Sequence, residues 1–186
     1  MLRFVFVVLF SLFFLAQLKA QETGYQIGYI VTNENDTIKG MVKNKNLAPY
    51  RVLTEIKFKK NNDGKMEIFS PVQLKGFQIG PAKYLSVDLK MNGFNEKSFV
   101  EVIVEGYLNY YELESSAFGA GKSVTYVILQ RKGEKKQVYY SKSDLLFNFK
   151  KTLTEYLKDM PNLCEKINDG TYKKKDIEKI VNEYNQ

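Results

Sequence analysis

Gly119-Ala120-Gly121-Lys122-Ser123 carries the Gly-Lys-Ser end of a phosphate-binding loop. In such a loop, backbone N–H groups wrap the phosphates while the Lys and the hydroxyl reach phosphate and metal. The full pattern needs another Gly five residues before the second one, and Ser116 stands there. It also needs a helix directly afterwards, whose N-terminus attracts the anion. Here Val124-Thr125-Tyr126-Val127-Ile128 alternates like a strand, so the stretch reads as a turn between strands. Glu101 and Glu105 are the next candidates, as paired carboxylates on one face of one strand. Four residues along a strand span roughly 13 Å, more than the 5–9.5 Å that separates glycosidase acids. They read instead as a solvated or Lys-paired sheet face.

Composition removes other chemistries. The chain has no His, so it holds no Ser-His-Asp or Cys-His nucleophile and no His-containing zinc site. Its single Cys164 excludes an internal disulfide and a Cys-only metal site. That thiol lies between Leu163 and Ile167 and reads as a small buried hydrophobe. No pattern calls for a cofactor.

Binding is the remaining chemistry. Basic residues gather at Lys43 with Lys45, at Lys57-Phe58-Lys59-Lys60, over 131–136, and at Lys173-Lys174-Lys175. Lys57 and Lys59 alternate with Ile56 and Phe58 and so belong on the outer face of a strand, where Lys also discourages edge-to-edge aggregation; Lys60 follows them. Their alternative role is contact with an acidic lipid or polysaccharide surface. Tyr107, Tyr110 and Tyr111, with Tyr139 and Tyr140, offer a stacking platform for a sugar. Adjacent strand residues face opposite ways, so only some of them share a surface, and Tyr is also an ordinary half-buried strand residue. Asn35-Asp36-Thr37 matches an N-glycosylation acceptor and Asp36-Thr37-Ile38 a short O-glycosylation pattern; both also read as hairpin-turn chemistry.

The elements that would position these residues follow from periodicity. Residues 1–20 pair Arg3 with an apolar run from Phe4 to Ala16 and close on Gln17-Leu18-Lys19-Ala20, the form of a secretory signal peptide. Cleavage is expected after Ala20, leaving Gln21–Gln186 without a membrane-spanning segment. That part keeps 26 of the 28 bases and all 21 acids, a net charge of +5. The predicted fold is a single α+β domain over 21–186. Its β-rich body, 21–141, is a mostly antiparallel sheet of seven to nine strands, a sandwich or a partly closed barrel. Its helical part, 142–186, holds two or three helices. Hairpins are expected around Asn33-Glu34-Asn35-Asp36 and Asn61-Asn62-Asp63-Gly64. Phe99–Leu113 reads as one long strand with a bulge or bend at Gly106. The first helix is expected from a Ser143 cap, with Leu145, Leu146, Phe149, Leu153, Tyr156 and Leu157 on its apolar stripe.

The order of the segments carries a resemblance. Gly28–Gly40, Ile56–Phe58, Ser70-Pro71, Lys75-Gly76-Phe77, Phe99–Tyr111, Asp159-Met160-Pro161-Asn162-Leu163 and Glu183-Tyr184-Asn185 follow one another. Together they resemble a family of uncharacterised exported proteins of Bacteroidota. In some relatives a similar module precedes an outer-membrane β-barrel. The resemblance implies location and architecture and transfers no active site. The function expected is therefore that of an exported, non-enzymatic protein of the cell envelope, periplasmic or at the cell surface, that binds another envelope protein or component. A periplasmic small-molecule or glycan-binding protein is the alternative. Export separates the chain from nucleic acid.

Overall fold

The structure is a computed structural model and describes residues 24–44, 55–91, 95–116 and 123–186. The expected signal segment, Lys45 and the Gly119–Lys122 stretch lie outside the described residues. Among the described residues, ten strands form one antiparallel sheet: β1 (Gln26–Thr32), β2 (Thr37–Asn44), β3 (Ile56–Lys59), β4 (Glu67–Phe69), β5 (Leu74–Ile79), β6 (Ala82–Asp88), β7 (Lys97–Val104), β8 (Leu108–Ser116), β9 (Ser123–Arg131) and β10 (Gln137–Ser141). Their order across the sheet is β10-β9-β8-β7-β6-β5-β1-β2-β3-β4. Three helices follow, α1 (Phe149–Tyr156), α2 (Pro161–Asn168) and α3 (Ile177–Tyr184), the last entered through a 3-10 turn at Lys174–Asp176. The α+β class, the antiparallel sheet and the helical end match the expectation.

The tenth strand is a correction. Phe99–Leu113 is not one strand: β7 and β8 are separate, antiparallel and joined by Glu105-Gly106-Tyr107. The apolar alternation runs on through the reversal, so period alone hides it. The bulge lies in β7 instead, where Ile103 is the extra residue between Val102 opposite Tyr111 and Val104 opposite Tyr110.

The sheet is neither a sandwich nor a closed barrel. β4 and β5 are four places apart in it, roughly 19 Å if it were flat. Yet a turn joins them, closed by the Gln73 N–H donating to the Ser70 carbonyl at 3.0 Å. The β1–β5 half must therefore curl. It wraps Ile30, Val42, Ile56, Phe58, Phe77 and Phe99. The other half curls the opposite way. Gln137 of β10 donates to the Asp88 carbonyl at 2.9 Å and accepts from Lys90 N–H at 3.2 Å, reaching the end of β6 across three strands. This second curl encloses Leu89, Val100, Tyr111, Leu113 and Ile128.

One row of paired residues shows the change of hand. Ile30, Phe77, Tyr84, Glu101, Glu112, Val127 and Tyr140 are successive cross-strand partners, so all point to one face. That face is the inside of the first curl at Ile30 and the outside of the second at Tyr140. The helices cover it there, burying Leu153, Leu157, Leu163, Ile167, Ile180 and Val181 against Leu108, Tyr110, Val127 and Leu129. Helices of eight residues are marginal alone, so this burial, about 1.5–3 kcal/mol per side chain, holds them. Between the two cores stand Glu101 and Glu112.

Two polar fastenings attach the helices to the sheet. Asn185 accepts from Leu108 N–H at 2.8 Å and donates to the Leu108 carbonyl at 2.9 Å, standing in for a strand neighbour. Arg131 at the end of β9 donates to the Tyr184 hydroxyl at 2.9 Å, the Tyr156 carbonyl at 2.7 Å and the Asp159 carboxylate at 2.5 Å. Residues quoted above for the family resemblance meet here: Gly106 and Leu108 against Asn185, and Tyr107 stacked on Tyr184.

Candidate functional site

The residues singled out in the sequence do not form one surface. Lys57, Lys59 and Lys60 leave the sheet at β3, while Tyr107, Tyr110 and Tyr111 bracket the start of β8, six places away. Tyr110 is buried on the helix side and Tyr111 in the opposite core. Burial first, and then the Glu105 charge, raises the Tyr111 hydroxyl to about 12. Tyr107 is exposed at the β7–β8 turn but stacks on Tyr184 at 6.3 Å. Lys57 and Lys59 are half-buried, and the Lys59 ammonium lies 5.0 Å from the Tyr25 ring. Tyr107, Tyr110 and Tyr111 therefore share no single surface: the pleat sends Tyr110 and Tyr111 to opposite faces of the sheet.

The other candidates also resolve. Glu105 pairs with Lys83 at 2.5 Å, apart from Glu101. Ser123 opens β9, so a strand stands where a phosphate loop needs a helix. Asn35 adopts a left-handed turn conformation, φ +75°, and accepts from Lys75 at 2.5 Å. The Cys164 thiol donates to the Leu157 carbonyl at 3.2 Å, and burial pushes its pKa up, away from nucleophilic use.

What the fold does bring together lies where the row of paired residues leaves the first core. A cavity of about 480 Å³ opens there, between the sheet and the start of α3. Tyr110, Val127, Tyr140 and Ile177 give it apolar walls; Glu112, Lys142, Lys174, Lys175 and Glu178 give it charge. Its volume falls within the roughly 300–1,000 Å³ of small-molecule sites. Glu112 is occupied: the Tyr110 hydroxyl donates to it and Lys142 pairs with it at 2.5 Å. The buried Tyr140 hydroxyl has no hydrogen-bond partner among the described residues. Burial and the Glu112 charge both push its pKa up, so it stays neutral.

Glu101 stands directly opposite Glu112. Burial first, then the charges of Glu112 and Glu114, hold its carboxyl above the ordinary range. A raised carboxyl binds its proton more tightly in the folded state. Its penalty is therefore absent at low pH and grows as pH rises through the unfolded and then the folded pKa. Glu101→Gln is expected to raise the melting temperature at pH 7 by about 1–3 °C, the scale of relieving one like-charge cross-strand pair. It should give no gain at pH 3. Thermal melts at the two pH values check this.

A loop rims the cavity, and it is the second correction. No helix begins at Ser143. Asp144 accepts from Leu146 N–H at 2.9 Å in a local turn, and Asn148 caps the helix by accepting from Lys151 N–H at 3.2 Å. Leu145 and Leu146 are thereby left outside α1, 96% and 95% exposed. The loop is braced. Lys174 donates to the carbonyls of Ser141 at 2.9 Å and Asp144 at 2.6 Å, and Phe147 stacks on Tyr140 at 4.4 Å. Sequence reasoning missed Glu112, Lys142 and this loop. Asn148, a cap residue just before Phe149, is the signal that could have found the later helix start.

Among the described residues, no group of three or more carboxylates and thiols could hold a metal ion, and no helix is long and apolar enough to cross a membrane. Comparison with protein-family models, with curated proteins and with solved structures returned no match.

Proposed function

We propose that this is an exported, non-catalytic protein of the cell envelope that docks on another envelope component through the 141–148 loop. The observation that carries the reading is the pair Leu145 and Leu146, wholly exposed on a loop held in place by Lys174 and Phe147. Scattered apolar side chains are normal on a surface. Two adjacent leucines presented at full exposure by a braced turn are a different case, because bracing lowers the ordering cost of binding. The apolar leader of residues 1–20 supports export, with the periplasm or the cell surface as destination. An outer-membrane protein or an acidic envelope surface suits such a docking point.

Fractionation of native cells tests the reading. The protein is expected to sediment with the envelope, to resist a high-salt wash in part, and to be released by mild detergent. Leu145→Ser with Leu146→Ser should move it to the soluble fraction. The melting temperature should move by no more than about 2–4 °C, since each of the two exposed substitutions changes stability by about 0.5 kcal/mol or less. A wild-type protein found wholly soluble would overturn the reading, and so would a double variant that sediments like the parent.

A specific observation favours a second reading. The cavity of about 480 Å³, walled by Tyr110 and Tyr140 and edged by Lys142 and Lys175, suits a small glycan or other polar molecule. Calorimetric titration with oligosaccharides tests it, and Lys175→Glu should weaken any binding found.

A further inference from the structure

We infer that the outer face of strands β1–β3 binds a linear acidic polysaccharide. This face lies near the opposite end of the sheet from the 141–148 loop and from the cavity, which belong to β8–β10 and the helices. Ile30, Val42, Ile56 and Phe58 point into the first curl, so the residues alternating with them point out. Lys39 and Lys43 of β2 and Lys57 and Lys59 of β3 hold outward positions, and the three strands bring no carboxylate to that face. Glu67 of β4 pairs with Phe58 and so belongs to the other face, while Glu55, just before β3, flanks one end.

The four lysines are contiguous. Lys57 stands directly opposite Lys43, and Lys59, opposite Met41, is diagonal to both Lys43 and Lys39. Like charges directly opposite one another destabilise a sheet. Protection of a sheet edge does not account for them, because β4 pairs with β3 and covers its edge. A local cost without a structural return is expected where a surface is kept for binding. Two of the cations are also held in place: the Lys43 and Lys59 ammonium groups lie 5.5 and 5.0 Å from the ring of buried Tyr25, which lowers the ordering cost of binding.

Shape selects the kind of anion. From Lys39 to Lys43 the strip runs roughly 13 Å, and it is two strands, roughly 5 Å, wide. It follows the convex outside of the curl. A linear chain lies along such a strip, whereas a flat bilayer meets a convex face at few points. An extended acidic peptide gains its main-chain hydrogen bonds at a sheet edge, and this is a face. Tyr29, half-buried and opposite Lys39, sets an aromatic ring beside the cations, where a sugar stacks.

Calorimetric titration of the protein recovered from native cells tests the inference with hexagalacturonate, a linear chain of carboxylated sugars, and with uncharged maltohexaose of the same length. Hexagalacturonate is expected to bind at least about tenfold more tightly at low salt, and high salt should shrink the difference. Lys39→Gln with Lys57→Gln should weaken it about fivefold. The melting temperature of the free double variant should not fall, since the change relieves like-charge contacts. Lys175→Glu, at the cavity, should leave this binding unchanged; a loss there would move the site to the cavity and overturn the inference. Equal affinity for the two sugars also overturns it, as does a double variant that binds like the parent. Hexaglutamate bound as tightly as hexagalacturonate would assign the face to an acidic protein segment and overturn the polysaccharide. No binding of hexagalacturonate at low salt ends the inference and leaves the loop reading standing, because fractionation tests that reading separately.

Discussion

Arg131→Ala is expected to cost about 2–4 kcal/mol of stability and to loosen the helices from the sheet. The guanidinium is only 12% exposed and reaches two separate parts of the helical layer. It donates to the carbonyl of Tyr156, the last residue of α1, to the Asp159 carboxylate just after it, and to the Tyr184 hydroxyl at the end of α3. It also lies 4.7 Å from the Tyr156 ring and 5.5 Å from the Tyr184 ring. Truncation empties the centre of this cluster and leaves the Tyr156 carbonyl short of a donor. Lys keeps the charge but not the planar fork, so Arg131→Lys should recover less than half of the loss. Urea unfolding followed by far-UV circular dichroism measures both variants. A loss under 0.5 kcal/mol for Ala, the scale of an ordinary surface change, would overturn the assignment.

The same cluster sets the acid response. Burial pushes the Asp159 carboxyl up, but the Tyr184 hydrogen bond and the Arg131 charge outweigh it and hold the group below its ordinary 3.8. A lowered carboxyl contributes stability that is present above its unfolded pKa and lost as pH falls through the folded one. Asp169, Asp176 and Glu183 are also lowered: Asp169 by the Thr171 N–H, Asp176 by the Lys173 N–H, and Glu183 by hydrogen bonds from Lys166 and Tyr172. All four belong to the helical layer, whereas Glu101 in the sheet is shifted the other way. As pH falls towards the ordinary Glu range of about 4.3–4.5 the Glu101 penalty should be relieved in the sheet, and further acidification below about pH 4 should weaken the helices. Arg131→Ala should show a smaller drop in stability over that range than the parent, because one of the four carboxyls has already lost its cation.

Legibility in the sequence followed locality. The hairpin turned by Asn61–Gly64 was readable because residues adjacent in the chain dictate the turn, and β3 and β4 pair as expected. The last helix is legible for the same reason: Ile177, Ile180, Val181 and Tyr184 recur at helical spacing, and α3 buries all four. The two errors share one cause: a period continued past the residue that ends the element. Alternation ran through Glu105-Gly106-Tyr107, where the chain reverses, and a helical stripe ran back to Leu145 and Leu146, which belong to a turn. What fixes that turn is Lys174, thirty residues downstream of Asp144, and no local pattern announces such a partner. The cavity was hidden for a related reason. Glu101 and Glu112 face each other only because the chain reverses at Gly106, and with a single long strand Glu105 looked like the nearer mate.

That reversal supplies the second large effect. Gly106→Ala should cost about 2–3 kcal/mol, although an alanine fits the backbone, since Gly106 is not among the glycines held at positive φ. The obstacle is Asn185. A Cβ on Gly106 would lie 2.4 Å from Asn185 Nδ2 and 2.5 Å from its Cγ. That carboxamide cannot swing away freely, because it satisfies both backbone groups of the fully buried Leu108. Displacing it leaves a buried donor and acceptor unpaired, which is also what Asn185→Ala does. Each single variant should therefore lose about the same amount. The double variant decides between this account and two independent defects. With Asn185 already truncated, the three atoms nearest the Gly106 methyl are gone, and the methyl then mainly reduces the freedom of the unfolded chain. Gly106→Ala should then be neutral or stabilising by about 0.4–1 kcal/mol. A double-mutant cycle in urea measures the coupling. Additive losses would show that the Gly106 requirement lies elsewhere, whereas the expected reversal of sign would establish that this glycine is kept to seat one side chain, Asn185, on the edge of Leu108.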